Sequence, residues 1–160
     1  MGLDGREFRA GRARNVIESG LHIGHWCAER LGTAYTPERS VAIGLVKDGT
    51  IQAGVIFDNW NLRSIMAHIV VEGRLTKHFI ASIFHYPYQV ARVEKIICPV
   101  EETNLKSRRL AENMGFVEEA RLTDCHPNGS LLLYTLRKSD CRFLGDKYAG
   151  EITALPSTGT

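Results

Sequence analysis

The sequence predicts an α/β protein (α+β in chain order) with a mixed, mostly antiparallel central sheet flanked by helices. Three observations carry this expectation. Apolar residues make up 44% of the 160, enough to build one substantial core. Three strand-like runs succeed one another from Ser40 to Glu72, and the first two are joined by Asp48-Gly49, a two-residue hairpin signal. The hydrophobic period then changes: Leu75, Phe79, Ile80, Ile83 and Phe84 fall on one helical face, and a buried strand comes next. A strand–helix–strand unit inside an otherwise antiparallel sheet makes the sheet mixed.

Taken in order, residues 1–14 are rich in arginine and glycine and have little to bury, which predicts a flexible segment. Val16-Ile17 reads as a short first strand. Leu21, Trp26, Ala28 and Leu31 set a helical pattern that Gly32 stops. The next strands are Ser40–Lys47, Ile51–Trp60 and Ser64–Glu72, with a turn over Asn59–Arg63. A helix over Leu75–Tyr86 must bend or end at Pro87, which lacks an N–H. Val93–Val100 is a strand, 104–114 a helix, and Phe116–Thr123 and Leu131–Arg137 a final pair around His-Pro-Asn-Gly. The expected organisation is one domain over 15–144, with a flexible Gly-, Ser- and Thr-rich tail over 145–160.

Several function classes are disfavoured. A net charge of +2 is too mild for a nucleic-acid binder. No run of roughly 18 apolar residues suggests a membrane span, and the charged N-terminus is not followed by the apolar run of a signal peptide. Arg6 stands where myristoylation needs Ser or Thr. Cys27, Cys98, Cys125 and Cys141 match no zinc spacing, which predicts free thiols in a reducing, cytoplasmic setting. His22-x-x-His25 resembles half of a metal site, but no carboxylate or cysteine completes it, so no metal is expected.

The most informative stretch is Asn104 to Phe116, N-L-K-S-R-R-L-A-E-N-M-G-F. Asn104 or Thr103 suits an N-cap. Ser107, Leu110, Ala111 and Met114 form a narrow small-residue stripe, and Gly115-Phe116 suits a left-handed stop with a hydrophobic contact beyond it. Asn, Ser three residues on, then Gly-Phe entering a strand with Glu118 and Glu119 resembles the second cofactor motif of the GNAT acetyltransferases. The similarity is greatest to the branch that acetylates the N-termini of ribosomal proteins, and it covers about residues 40 to 143.

That resemblance implies a splayed strand pair, 64–72 against 93–100, with acetyl-coenzyme A in the wedge between them. It places the pyrophosphate at the start of the next helix, residues 72–79, where unpaired N–H groups and the helix dipole favour an anion. Arg74 matches the start of the family's pattern there, but Lys77 and Phe79 replace its small residues. Charge from Arg74, Lys77 and His78 is expected to compensate. The expected donor-binding residues are Val70, Val71, Arg74, Thr76, Lys77, His78, Phe79, Asn104, Ser107 and Arg108. A main-chain N–H near Val70 or Val71, at a bulge in the fourth strand, is expected to bond the reacting carbonyl oxygen.

The family's usual catalytic groups are replaced: Pro99 stands at the carboxylate position and Ala111 at the tyrosine position. His68 and Glu72, four apart and so on one strand face, are the candidate bases, with Asp58 a third; Ser107 is the candidate acid. The function implied is acetyl transfer from acetyl-coenzyme A to an amine, a peptide or protein N-terminus being one candidate acceptor. No nucleic-acid or membrane partner is expected, and a homodimer is left open. The competing expectation is a non-catalytic binding or structural protein on the same fold, its cofactor site decayed.

Overall fold

The computed structural model describes residues 14–150; the predicted N-terminal flexible segment, but for Arg14, and most of the tail lie outside the described residues. One seven-stranded sheet organises them. Its strands are β1 (Asn15–Ser19), β2 (Val41–Lys47), β3 (Thr50–Asp58), β4 (Ser64–Val71), β5 (Lys95–Glu101), β6 (Val117–His126) and β7 (Gly129–Arg137). The spatial order is β1-β2-β3-β4-β5-β7-β6, and only the β4–β5 pair is parallel. This is the mixed, mostly antiparallel sheet that the pattern predicts.

Local chemistry sets most element ends. Asp48 and Gly49 both adopt positive φ, 47° and 80°, as a two-residue hairpin turn of matching twist requires. β3 stops at Asp58 rather than Trp60 because Asn59 turns to φ 52°. Trp60 lies outside the strand and donates its indole N–H to the Ala91 carbonyl at 3.0 Å.

Helix α1 (Leu21–Leu31) packs on one face of the sheet through Ile23, Cys27 and Ala28, against Ala42, Val46 and Ile56. The approach is close because Gly44 and Gly54 sit opposite each other in β2 and β3. A Cβ on Gly54 would lie 2.5 Å from Cys27 Sγ, and one on Gly44 the same distance from Ile23 Cδ1. The larger core fills the other face, under α2 (Lys77–His85) and α3 (Leu105–Asn113). Pro87 ends α2 as expected, but the chain does not stop: it widens into a single π-helical turn over Tyr86–Val90, closed by Ala91 N–H on the Tyr86 carbonyl at 2.9 Å.

Two expectations need correction. The chain stays structured past 144: Asp146–Ala149 forms α4, and Tyr148 stacks edge-on against Phe143. Aromatic packing on Phe143, itself stacked on Phe84, holds this segment. The expected bulge lies just past β4 rather than within it: β3 and β4 pair in unbroken register from Ala53↔Val71 to Asp58↔Met66, and the Glu72 and Gly73 N–H groups then both bond the Gln52 carbonyl, at 2.8 and 2.9 Å.

Candidate active site

β4 and β5 pair over only three positions, Ser64↔Lys95, Ile65↔Ile96 and Met66↔Ile97. Beyond Met66 the strands diverge, so Ala67–Val71 have no strand partner on that side. The register against β3 shows which groups this leaves open. Glu72 N–H bonds the Gln52 carbonyl at 2.8 Å. Hydrogen-bonded pairs alternate in an antiparallel ladder, so His68 and Val70 turn their main chain to β3, while Ala67, Ile69 and Val71 turn theirs into the wedge. The candidate donors to a carbonyl oxygen are therefore Ile69 and Val71, and the Val70 amide is committed to β3.

On the face of the sheet that α2 and α3 cover, where β4 and β5 diverge, lies a small apolar cavity of about 30 Å³. Ala67 and Ile69 of β4, Ile96 and Cys98 of β5, and Leu110 and Ala111 of α3 are among its walls. Ala111, the position expected to lack an acid, opens directly on it. Burial pushes the Cys98 thiol up to about 12, so it is no nucleophile near neutral pH.

Two helices begin beside the wedge. Thr76 caps α2, its Oγ1 accepting the Phe79 N–H at 3.1 Å. That bond occupies the Phe79 amide, and the Phe79 ring is fully buried in the core, so its bulk does not crowd the helix start. Lys77 sits 5.5 Å from the Tyr148 ring centroid. Arg74 is exposed and His78 half-buried in the same segment. Asn104 caps α3, its Oδ1 accepting the Ser107 N–H at 3.1 Å, which places half-buried Ser107 in the first turn. The helix closes as its Gly-Phe ending predicts. Phe116 N–H bonds the Ala111 carbonyl and Gly115 N–H the Glu112 carbonyl, both at 3.0 Å, with Gly115 at φ 97°.

Arg108 serves the protein itself. It donates to the Glu102 carbonyl at 3.0 Å and to the Tyr134 hydroxyl at 3.3 Å, while that hydroxyl donates to Glu112 at 2.9 Å. These bonds moor α3 to β7. Lys106, to which the sequence assigned no role, reaches the main chain of β4: its Nζ donates to the Val71 carbonyl at 2.7 Å.

The opposite face of β4 carries the candidate bases. Side chains alternate, so His68 and Val70 look toward α1 while Ala67 and Ile69 line the cavity. His68 Nε2 lies 3.0 Å from Asp58 Oδ1, and both side chains are 28% exposed. The structure thus joins two residues that the sequence offers only as separate alternatives. Their diagonal placement in the β3–β4 register was the available signal. Glu72 instead accepts from Arg30 of α1 at 2.6 Å, an ion pair that ties α1 to the end of β4. His22 and His25 do not converge: His22 bonds Glu18 at 3.0 Å, and His25 packs edge-on against Tyr35.

The sequence matches no protein-family model and no curated protein. The fold does match solved structures. It is similar to spermidine/spermine N-acetyltransferase SpeG from Vibrio cholerae in complex with manganese ions, with TM-score 0.64 and 14% identity over 79% of this chain and 94% of that one. It is also similar to a protein described as a probable acetyltransferase, with TM-score 0.54 and 20% identity; there the match covers 63% of each chain. The fold, splayed strands included, is GNAT-like.

Proposed function

We propose that this protein is an N-acetyltransferase that takes acetyl-coenzyme A as donor and an amine as acceptor. The observation that carries the reading is the wedge: a parallel pair that opens after Met66 and Ile97 onto an apolar cavity, with the main chain of Ala67, Ile69 and Val71 unpaired by any strand along it. An extended, amide-bearing arm can satisfy those groups as a strand would, with its apolar end directed at the apolar cavity wall. The two nearby helix starts offer N–H groups and positive dipole ends suited to phosphates. The solved acetyltransferases of the same fold support the reading.

In this reading the donor supplies an activated acetyl thioester, and the chain's residues do the rest. The donor lies on the cavity side of β4 and the amine approaches from the α1 side, where His68 stands. A carboxylate at the distance of Asp58 holds a proton on His68 Nε2 and leaves Nδ1 as the basic nitrogen. Nδ1 takes the proton that the amine sheds on attack, directly or through water. The Ile69 or Val71 N–H bonds the carbonyl oxygen as negative charge builds on it. The Ser107 hydroxyl hydrogen-bonds the departing thiolate and relays to it a proton taken up from solvent water. Arg74, Lys77, His78 and Asn104 complete the donor site.

The acceptor we favour is a peptide or protein N-terminus, as in the ribosomal-protein branch that the Asn104 motif resembles. An α-amino group, with pKa about 7.7 to 8.0, is about half neutral or more at pH 8, whereas a lysine at about 10.4 is almost wholly charged. A site with Pro99 and Ala111 in place of the usual carboxylate and tyrosine is suited to the easier amine. Calorimetric titration with acetyl-coenzyme A, followed by an acetyl-transfer assay on peptide N-termini, tests the reading. Saturable binding and transfer support it, and absence of binding at millimolar ligand overturns it.

A non-catalytic protein on the same fold is the second reading. It is favoured by the Lys106–Val71 contact, which engages one of the wedge's own acceptors. Absence of both donor binding and transfer is its signature.

A further inference from the structure

The Val71 carbonyl lies at the open end of the wedge, on the side of β4 that faces away from β3. β5 does not pair with it. Its partner comes from the other wall: Lys106, the second residue of α3, which succeeds β5 in the chain. The 2.7 Å bond therefore crosses the mouth through which an extended ligand would reach the cavity. Lys106 is an exposed residue, so moving its ammonium costs little desolvation. An ammonium has three donors, and a neutral carbonyl is a weaker partner for it than an anionic oxygen.

We propose that Lys106 is a phosphate-binding residue of the donor site, held on the Val71 carbonyl until the donor enters. The inference rests on the acetyl-coenzyme A reading and adds to it a residue and an exchange. The arriving arm takes over the main chain at Val71, and the displaced ammonium moves to an anionic phosphate oxygen of the same ligand. The wedge mouth is thereby latched in the free protein and charged in the complex. This supplies a cation from α3 in addition to Lys77, which stands at the α2 start in place of a small residue.

The test is binding of coenzyme A itself to wild type, Lys106→Met and Lys106→Arg, by calorimetry at low and high salt. Methionine keeps most of the stem and removes the charge; arginine keeps the charge. Lys106→Met should weaken coenzyme A about tenfold at low salt, the gap should narrow in about 0.5 M salt, and Lys106→Arg should retain most of the affinity. Equal affinity of wild type and Lys106→Met overturns the inference while leaving the donor site standing. So does a loss independent of salt and shared by Lys106→Arg, because it marks a purely structural bridge. No binding of coenzyme A by the wild type overturns the donor-site reading, and this inference with it.

Discussion

His68 Nε2 and Asp58 Oδ1 stand 3.0 Å apart across adjacent antiparallel strands, where His68 pairs with Ile56 and Asp58 with Met66. The two side chains are diagonal neighbours on one face of the sheet, close to the point where β4 and β5 part. The carboxylate fixes the orientation of the ring, and strand pairing fixes both backbones. If this pair handles the amine proton, His68→Ala should lower kcat by about tenfold or more. Asp58→Asn should cause a smaller loss, since it disturbs the ring's tautomer and leaves the base in place. Both variants should bind acetyl-coenzyme A like wild type. A matching loss of donor affinity would move the pair from chemistry to structure.

The acceptor's own titration should dominate the pH profile. Transfer to a peptide N-terminus should rise through about pH 7.7 to 8.0 and then level off. Transfer to lysine side chains should be much slower at pH 7.5 and keep rising. Steady-state rates on matched peptides, with free and with blocked N-termini, check this. Fast lysine acetylation with a flat profile would contradict it.

Much of the scaffold was legible because it is local. The Asp48-Gly49 turn, the Leu21–Leu31 helix with its Gly32 stop, and the Gly115-Phe116 ending are each set by a few adjacent residues, and each is found. The π-helical turn was not legible. Pro87 announces a break, yet the shape of the chain after it depends on Tyr88 being buried and its hydroxyl bonding the Leu136 carbonyl at 2.6 Å. The splay came only from the resemblance carried by the Asn104 helix, since residue period cannot say where two parallel strands separate. The candidate site was named as individual residues. The link between Asp58 and His68, and between Lys106 and Val71, is register and packing between segments 10 and 35 residues apart. The same tertiary contacts draw Arg108 and Glu72 to Tyr134 and Arg30.

The four cysteines give a chemical test of packing. Burial pushes the Cys27 and Cys98 thiols up to about 12, and it raises that of half-buried Cys141 too; Cys125 is exposed on β6. An alkylating reagent at pH 8 should label Cys125 first and Cys141 slowly. Cys27 and Cys98 should react only after unfolding. Mass spectrometry of labelled peptides reads the order, and fast native labelling of Cys98 would contradict its burial.

Acid should act at the end of the β6–β7 hairpin. Glu102 accepts from Ser130 N–H at 3.1 Å and from Arg121 at 2.7 Å, and the Ser130 bond foremost holds its carboxyl below the ordinary value. A depressed folded pKa stabilises the fold above the ordinary carboxylate value and loses that contribution as pH falls through the folded one. Glu102→Gln should therefore lower Tm at pH 7, and the difference from wild type should shrink as pH falls below the ordinary carboxylate range. A difference that persists unchanged at low pH would contradict the assignment.

The central claim is that the donor lies along the wedge side of β4. Residue-resolved amide exchange, measured by NMR with and without acetyl-coenzyme A, tests it most directly. New protection is expected at Ile69 and Val71, whose N–H groups face the wedge, with little change at His68 and Val70, already bonded to β3. Ligand binding that leaves Ile69 and Val71 unprotected while shielding amides elsewhere would contradict it.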